Sequence, residues 1–202
     1  MRVDKVIIRA LLSTLVAIAV LFGFMLLTLL CVYPSTMMKI TYDLGMNGSS
    51  IRNATRAYQR TDDIYYIAYA MDVAIECDDY DQILSCGEKL IADDEFAQHC
   101  EEKNADWGEG AYQQYIYGQI CVSEYKEGKA EQAVERAFTL KGEGFARNNA
   151  VVMLLIDVLK DKDKQTAETI KGKLEMTQAD VSAEDGAYVQ EMLALIKTTK
   201  MD

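Results

Sequence analysis

One proline, one histidine and one tryptophan in 202 residues leave this chain short of the groups from which most active sites are assembled. With Pro34 as the only proline, nothing later in the sequence interrupts a helical pattern. There is no glycine-rich phosphate loop and no Cys-x-x-Cys pair, and His99 adjoins only Cys100, so no zinc set has the right spacing. His99 with Cys100 or Cys121 lacks any recognisable nucleophile motif. Asp78, Asp79 and Asp81 lack the glycine and distal glutamate of a calcium loop. Basic charge is scarce as well: 21 Lys and Arg stand against 32 Asp and Glu, a formal net charge of −11, which argues against a phosphate-binding surface for nucleic acid. The expectation is a protein without cofactor or metal that is not an enzyme.

What the sequence does have, first, is a long apolar run. Residues 10–38 contain no charged side chain, and 11–33 read LLSTLVAIAVLFGFMLLTLLCVY. At about 1.5 Å per residue that stretch makes a helix slightly longer than the ~30 Å hydrocarbon core of a bilayer. A cleaved signal peptide is a poorer fit, because the run is too long and no small-x-small site follows it. Leucines precede Cys31, where a lipoprotein signal has small residues. The reading is an uncleaved signal anchor over 10–33 behind a short basic tail, 1–9, that carries Arg2, Lys5 and Arg9. Those three basic residues, against Lys39 and Arg52 beyond the span, favour a cytoplasmic amino terminus and an extracytoplasmic body at the cell membrane. Ser13 with Ala17 and Ala19 with Gly23 are small pairs that would let two such helices pack, a weak indication of a homodimer.

Past residue 9 the chain carries 18 basic and 31 acidic residues. Residues 34–56 read as a spacer leading into a first helix capped near Ser49 or Ser50, and 57–202 as one helical domain. Asn47-Gly-Ser and Asn53-Ala-Thr fit the glycosylation pattern. Helical periodicity dominates thereafter: Ala130, Ala133, Val134, Ala137 and Phe138 form one stripe, and Ala167, Ile170 and Leu174 another. Each follows a longer apolar helix, 112–125 and 151–159, so two helical hairpins are expected. Ser182 caps a closing helix that carries Ala187, Tyr188, Met192, Leu193 and Ile196.

Gly128 and Lys162, Ala133 and Ala167, and Leu140 and Leu174 each stand 34 positions apart. The segment EYKEGKAEQAVERAFTL over 124–140 resembles the turn and second helix of a tetratricopeptide repeat, with Tyr117, Ile120, Gly128, Ala133 and Ala167 at motif positions. An earlier unit over 64–91, with DDYDQIL at its turn, is similar. The small residue of the family's first helix is Met71, Cys121 and Leu155 here, the closing proline is absent, and 50 positions separate the first two units, leaving about 16 extra residues near 100–110. The resemblance implies an all-α fold: a transmembrane helix followed by a degenerate tetratricopeptide-like stack, an α-solenoid looser than the regular superhelix.

Two side-chain groups stand out. Cys77, Cys86, Cys100 and Cys121 are an even set that permits two disulfides, Cys77 with Cys86 and Cys100 with Cys121, although buried free thiols are the common alternative. Tyr58, Tyr65 and Tyr69 fall on one side of an expected helix and suit either a partner surface or gap filling. Trp107 is either a flap over the stack or an exposed anchor, and His99 reads as an exposed residue of an acidic helix end. The resemblance implies protein contact, and with the apolar run it leads to the expectation of a membrane-anchored scaffold that binds another protein outside the cell membrane. A cytoplasmic adaptor of the same architecture, and an enzyme or enzyme regulator of the cell envelope, are the alternatives.

Overall fold

The computed structural model describes residues 2–140, 149–177 and 183–199, which form eleven α-helices and no strand. They fall into two compact units, Met1–Ala70 and Met71–Asp202. The expected cap Ser182 lies outside the described residues.

In the first unit α1 (Arg2–Val32) contains the stretch Ile7–Leu29, which is long and apolar enough to cross a membrane and has no buried residue. Large side chains along its length point outward, Leu15, Leu21 and Phe24 among them, each at least two-thirds exposed. Such a helix has no protein core to satisfy. Pro34 follows almost at once at the first position of α2 (Pro34–Asp43), where its missing N–H costs nothing.

The segment expected as a spacer and the start of a first helix holds the hairpin of α2 with α3 (Asn47–Thr61), and α3 begins at Asn47, before the expected cap at Ser49 or Ser50. Ser50, Ile51, Asn53, Ala54 and Ala57 recur at helical spacing and are buried, so α3 packs through small residues rather than through a greasy stripe. The Ser50 hydroxyl donates to the Met38 carbonyl at 2.7 Å and ties the two helices together. Asn53 is 2% exposed, so its glycosylation pattern is sterically closed in the folded chain.

In the second unit, α5 (Tyr80–Ile91), α6 (Phe96–Trp107), α7 (Ala111–Lys126), α8 (Ala130–Leu140), α9 (Ala150–Lys160), α10 (Lys164–Thr177) and α11 (Ala183–Thr198) follow α4 (Ile64–Glu76), whose last turns belong to the same unit. Helix α7 packs on α5, α6, α8 and α9, and α9 on α8, α10 and α11. Between them Cys121, Val134, Leu154, Leu155, Ile170 and Val189 are fully enclosed. Both expected stripes face this core, with Ala133, Val134 and Ala137 buried on α8 and Ala167, Ile170 and Leu174 on α10. On α11 the core residues are Val189, Met192, Leu193 and Ile196, whereas Ala187 is exposed.

Three turns share one geometry. Asp78, Gly128 and Lys162 have φ of 52°, 78° and 56°, and after each the next N–H reaches back to a carbonyl five residues earlier: Asp79 to Ala74, Lys129 to Glu124 and Asp163 to Val158. This is the paired helix-ending motif in which a left-handed residue caps the last carbonyls. The correspondence drawn from sequence between Gly128 and Lys162 is therefore a correspondence of backbone conformation. Asp79 and Asp163 then cap α5 and α10, accepting from Gln82 N–H and Thr166 N–H. Only Gly128 meets the left-handed requirement without a steric cost, so Lys162→Gly is expected to raise stability by about 1 kcal/mol, and Asp163→Ala to lower it by about 1 kcal/mol, in urea titrations.

Candidate functional site

The extra residues between the first two hairpins of the sequence reading are a helix of their own. Phe96, His99 and Cys100 are the buried face of α6, and Phe96 meets Tyr117 of α7 with ring centroids 6.1 Å apart. His99 is thus 8% exposed, not the solvated residue expected from its acidic neighbours. Its ring lies edge-on to Tyr112 at 5.6 Å.

At the end of α6 the chain turns through Gly108 and Gly110, both at positive φ, and the Asn104 side-chain oxygen accepts from Gly110 N–H at 3.1 Å. That turn folds Trp107 back onto α7, with centroid distances of 4.9 Å to Tyr115 and 5.5 Å to Tyr112. The Lys103 ammonium lies over the Tyr112 ring at 5.7 Å. Tyr112 is 3% exposed and its hydroxyl finds no hydrogen-bond partner, while Trp107 keeps 46% of its surface open. Burial pushes the Tyr112 phenol up, with the Asp72 charge adding to it. The result is a rigid aromatic platform: one open indole held by two tyrosines, suited to a contact surface because little side-chain freedom is left to lose.

The tyrosines grouped from sequence are divided by structure. Tyr58 lies on α3 and Tyr65 and Tyr69 on α4, because a left-handed Asp62 ends α3 between them. Tyr69 packs against Tyr42 at 6.2 Å and its hydroxyl lies 3.5 Å from that of Ser50. Tyr58 and Tyr69 are half-buried, and only Tyr65, at 46%, is as open as Trp107.

No disulfide joins Cys77, Cys86, Cys100 and Cys121. The last three are buried, and Cys77 is exposed with its thiol donating to the Val73 carbonyl at 3.1 Å. Burial pushes the Cys100 thiol up to about 11 and that of Cys121 to about 12, so both stay protonated near neutrality. Among the repeat-motif residues, Ile120, Ala133 and Ala167 are fully buried and Tyr117 packs against the same core.

A second feature, invisible from sequence, is a cleft of about 600 Å³ lined by residues of α5, α7 and α8. Arg136 bridges Glu124 at 2.8 Å and Glu88 at 3.2 Å. Comparison with protein-family models, curated proteins and solved structures finds no match. Among the described residues no three His, Cys, Asp or Glu side chains gather as a metal site.

Proposed function

We propose that the protein is a single-pass membrane scaffold whose α1 anchors a tetratricopeptide-like helical stack, and that the stack binds another protein on the extracytoplasmic side. The observation that carries this reading is the union of an unburied 23-residue apolar stretch with a folded helical body in the same chain. Burial of that stretch in lipid removes an apolar surface that would otherwise drive aggregation in water. The repeated turn geometry and the packing of α7 on α5, α8 and α9 support stacked hairpins, an architecture in which each hairpin buries its apolar face on a neighbour and leaves extended surfaces free. The basic residues Arg2, Lys5 and Arg9 support the orientation. Tethering also confines the body to the membrane plane, which raises its effective concentration toward a partner in the same membrane.

The contact surface assigned in this reading is the Trp107 platform. A photo-crosslinking amino acid at position 107 is expected to give one discrete protein adduct in intact cells, while the same group at the exposed Glu168 gives none. Equal, diffuse labelling from both positions overturns the assignment. Inside orientation, with the body recruiting cytosolic proteins, is the second reading; the free thiols of Cys77, Cys86, Cys100 and Cys121 are the observation that favours it.

A further inference from the structure

We infer that the cleft over α5 and α8 receives the side chain of an arginine or lysine presented by a partner protein. This rests on the protein-binding reading above and names the chemistry it selects. Glu124 of α7 is 5% exposed, and Arg136 occupies only its Oε1 at 2.8 Å; the second oxygen, Oε2, is buried and accepts no hydrogen bond. Glu124 lines the cleft together with Glu131, Glu135, Arg136 and the apolar side chains of Ile91 and Leu140. A buried carboxylate oxygen without a donor is costly to leave unmet, and a cationic N–H donor is the group that meets it best.

Among the described residues the lining carries three carboxylates, Glu124, Glu131 and Glu135, and one cation, Arg136. Arg136 is shared between Glu124 and Glu88, and Lys173 is engaged by Glu135 at 3.0 Å. Lys129 also acts on Glu124, in the same sense as Arg136. Glu131 forms no ion pair with the described residues and is exposed beside the opening. Burial pushes the Glu124 carboxyl up while Arg136 and Lys129 pull it down, and an incoming cation acts in the same sense as those two. The lining of Ile91 and Leu140 suits the aliphatic stem that arginine and lysine carry behind the charged head. An anion would meet three carboxylates, and a purely apolar side chain would leave Oε2 unmet.

The test uses the full chain in lipid nanodiscs, with the methyl groups of Ile91 and Leu140 labelled for NMR, and the probe N-acetyl-Gly-Arg-Gly-amide. Saturable shifts at both methyls are expected with a dissociation constant on the order of 1 mM, weakening by about tenfold when citrulline replaces arginine. The lysine peptide is expected to bind and the norleucine peptide not to. Glu124→Gln, with an unchanged thermal transition, is expected to remove about tenfold of the affinity. Should Glu124→Gln prove unstable, Glu131→Gln at the open rim is expected to weaken arginine but not citrulline by about threefold. Citrulline binding as well as arginine, or shifts that persist unchanged in both variants, overturns the inference. An absence of peptide binding alongside intact Trp107 crosslinking overturns it too, while leaving the scaffold reading standing.

Discussion

Gly87→Ala is expected to lower stability by about 1–2 kcal/mol, although alanine inside a helix ordinarily improves on glycine by about 1 kcal/mol. The reversal comes from how closely α5 approaches α7. A methyl group at position 87 would stand 2.6 Å from Ile120 Cγ1, 2.9 Å from its Cδ1 and 3.4 Å from Met71 Cε. Ile120 is fully buried and β-branched, so it cannot swing aside cheaply. Ile120→Ala alone is expected to cost about 2–5 kcal/mol through the cavity it leaves. In the double variant the new methyl fills part of that cavity, and the loss is expected to fall short of the sum by about 1 kcal/mol. Gly118 offers the contrast. Its added methyl would meet only the sulfur end of Met153, a flexible side chain that can move, so Gly118→Ala is expected to be nearly neutral. Urea titrations of the full chain in detergent measure all four; additivity of Gly87→Ala with Ile120→Ala would contradict the packing described here.

Ile18→Arg combined with Leu21→Arg is expected to shift the insertion of α1 by about 6 kcal/mol, roughly 3 kcal/mol for each arginine near the middle of the span. Both positions lie within Ile7–Leu29 and both side chains are open, at 60% and 69% exposure, so neither arginine is buried against the protein body. The variant should therefore keep its helical circular dichroism while leaving the membrane pellet on alkaline washing, whereas the parent chain stays. Loss of folded signal in the variant, or retention of both chains in the pellet, would count against α1 as the anchor.

These two predictions differ in how much the sequence could disclose. The long apolar helix Ile7–Leu29 was legible because an uncharged run of such length stands out in the sequence. Helices α8 and α10 were legible because their apolar residues keep a single helical stripe, and α7 and α9 as longer apolar runs, whose expected boundaries of 112–125 and 151–159 differ from Ala111–Lys126 and Ala150–Lys160 by one residue at each end. Helix α3 was legible in part: a helix capped near Ser49 or Ser50 was expected and begins at Asn47, but its end at Thr61 was hidden, because its buried face of Ser50, Asn53, Ala54 and Ala57 around a lone Ile51 carries little apolar signal. Helix α6 was hidden by its charge; its signal was the spacing of Phe96, His99 and Cys100, too narrow to stand out, and His99 was assigned to solvent as a result. Bulk at Met71, where the resembled family has a small residue, is accommodated by the absence of a side chain at Gly87, a compensation between helices that no local pattern reports. The cleft on Glu124 is tertiary in the same way, since its walls come from residues 91, 124 and 131–140.

An anchored body on the outer side of the membrane is accessible from outside, and protease treatment of intact cells carrying a tag after residue 202 reads this out. The tag is expected to be lost from intact cells while a cytoplasmic marker survives, with α1 in the protected remnant. A tag that resists protease until the cells are lysed would contradict this and place the helical body in the cytoplasm.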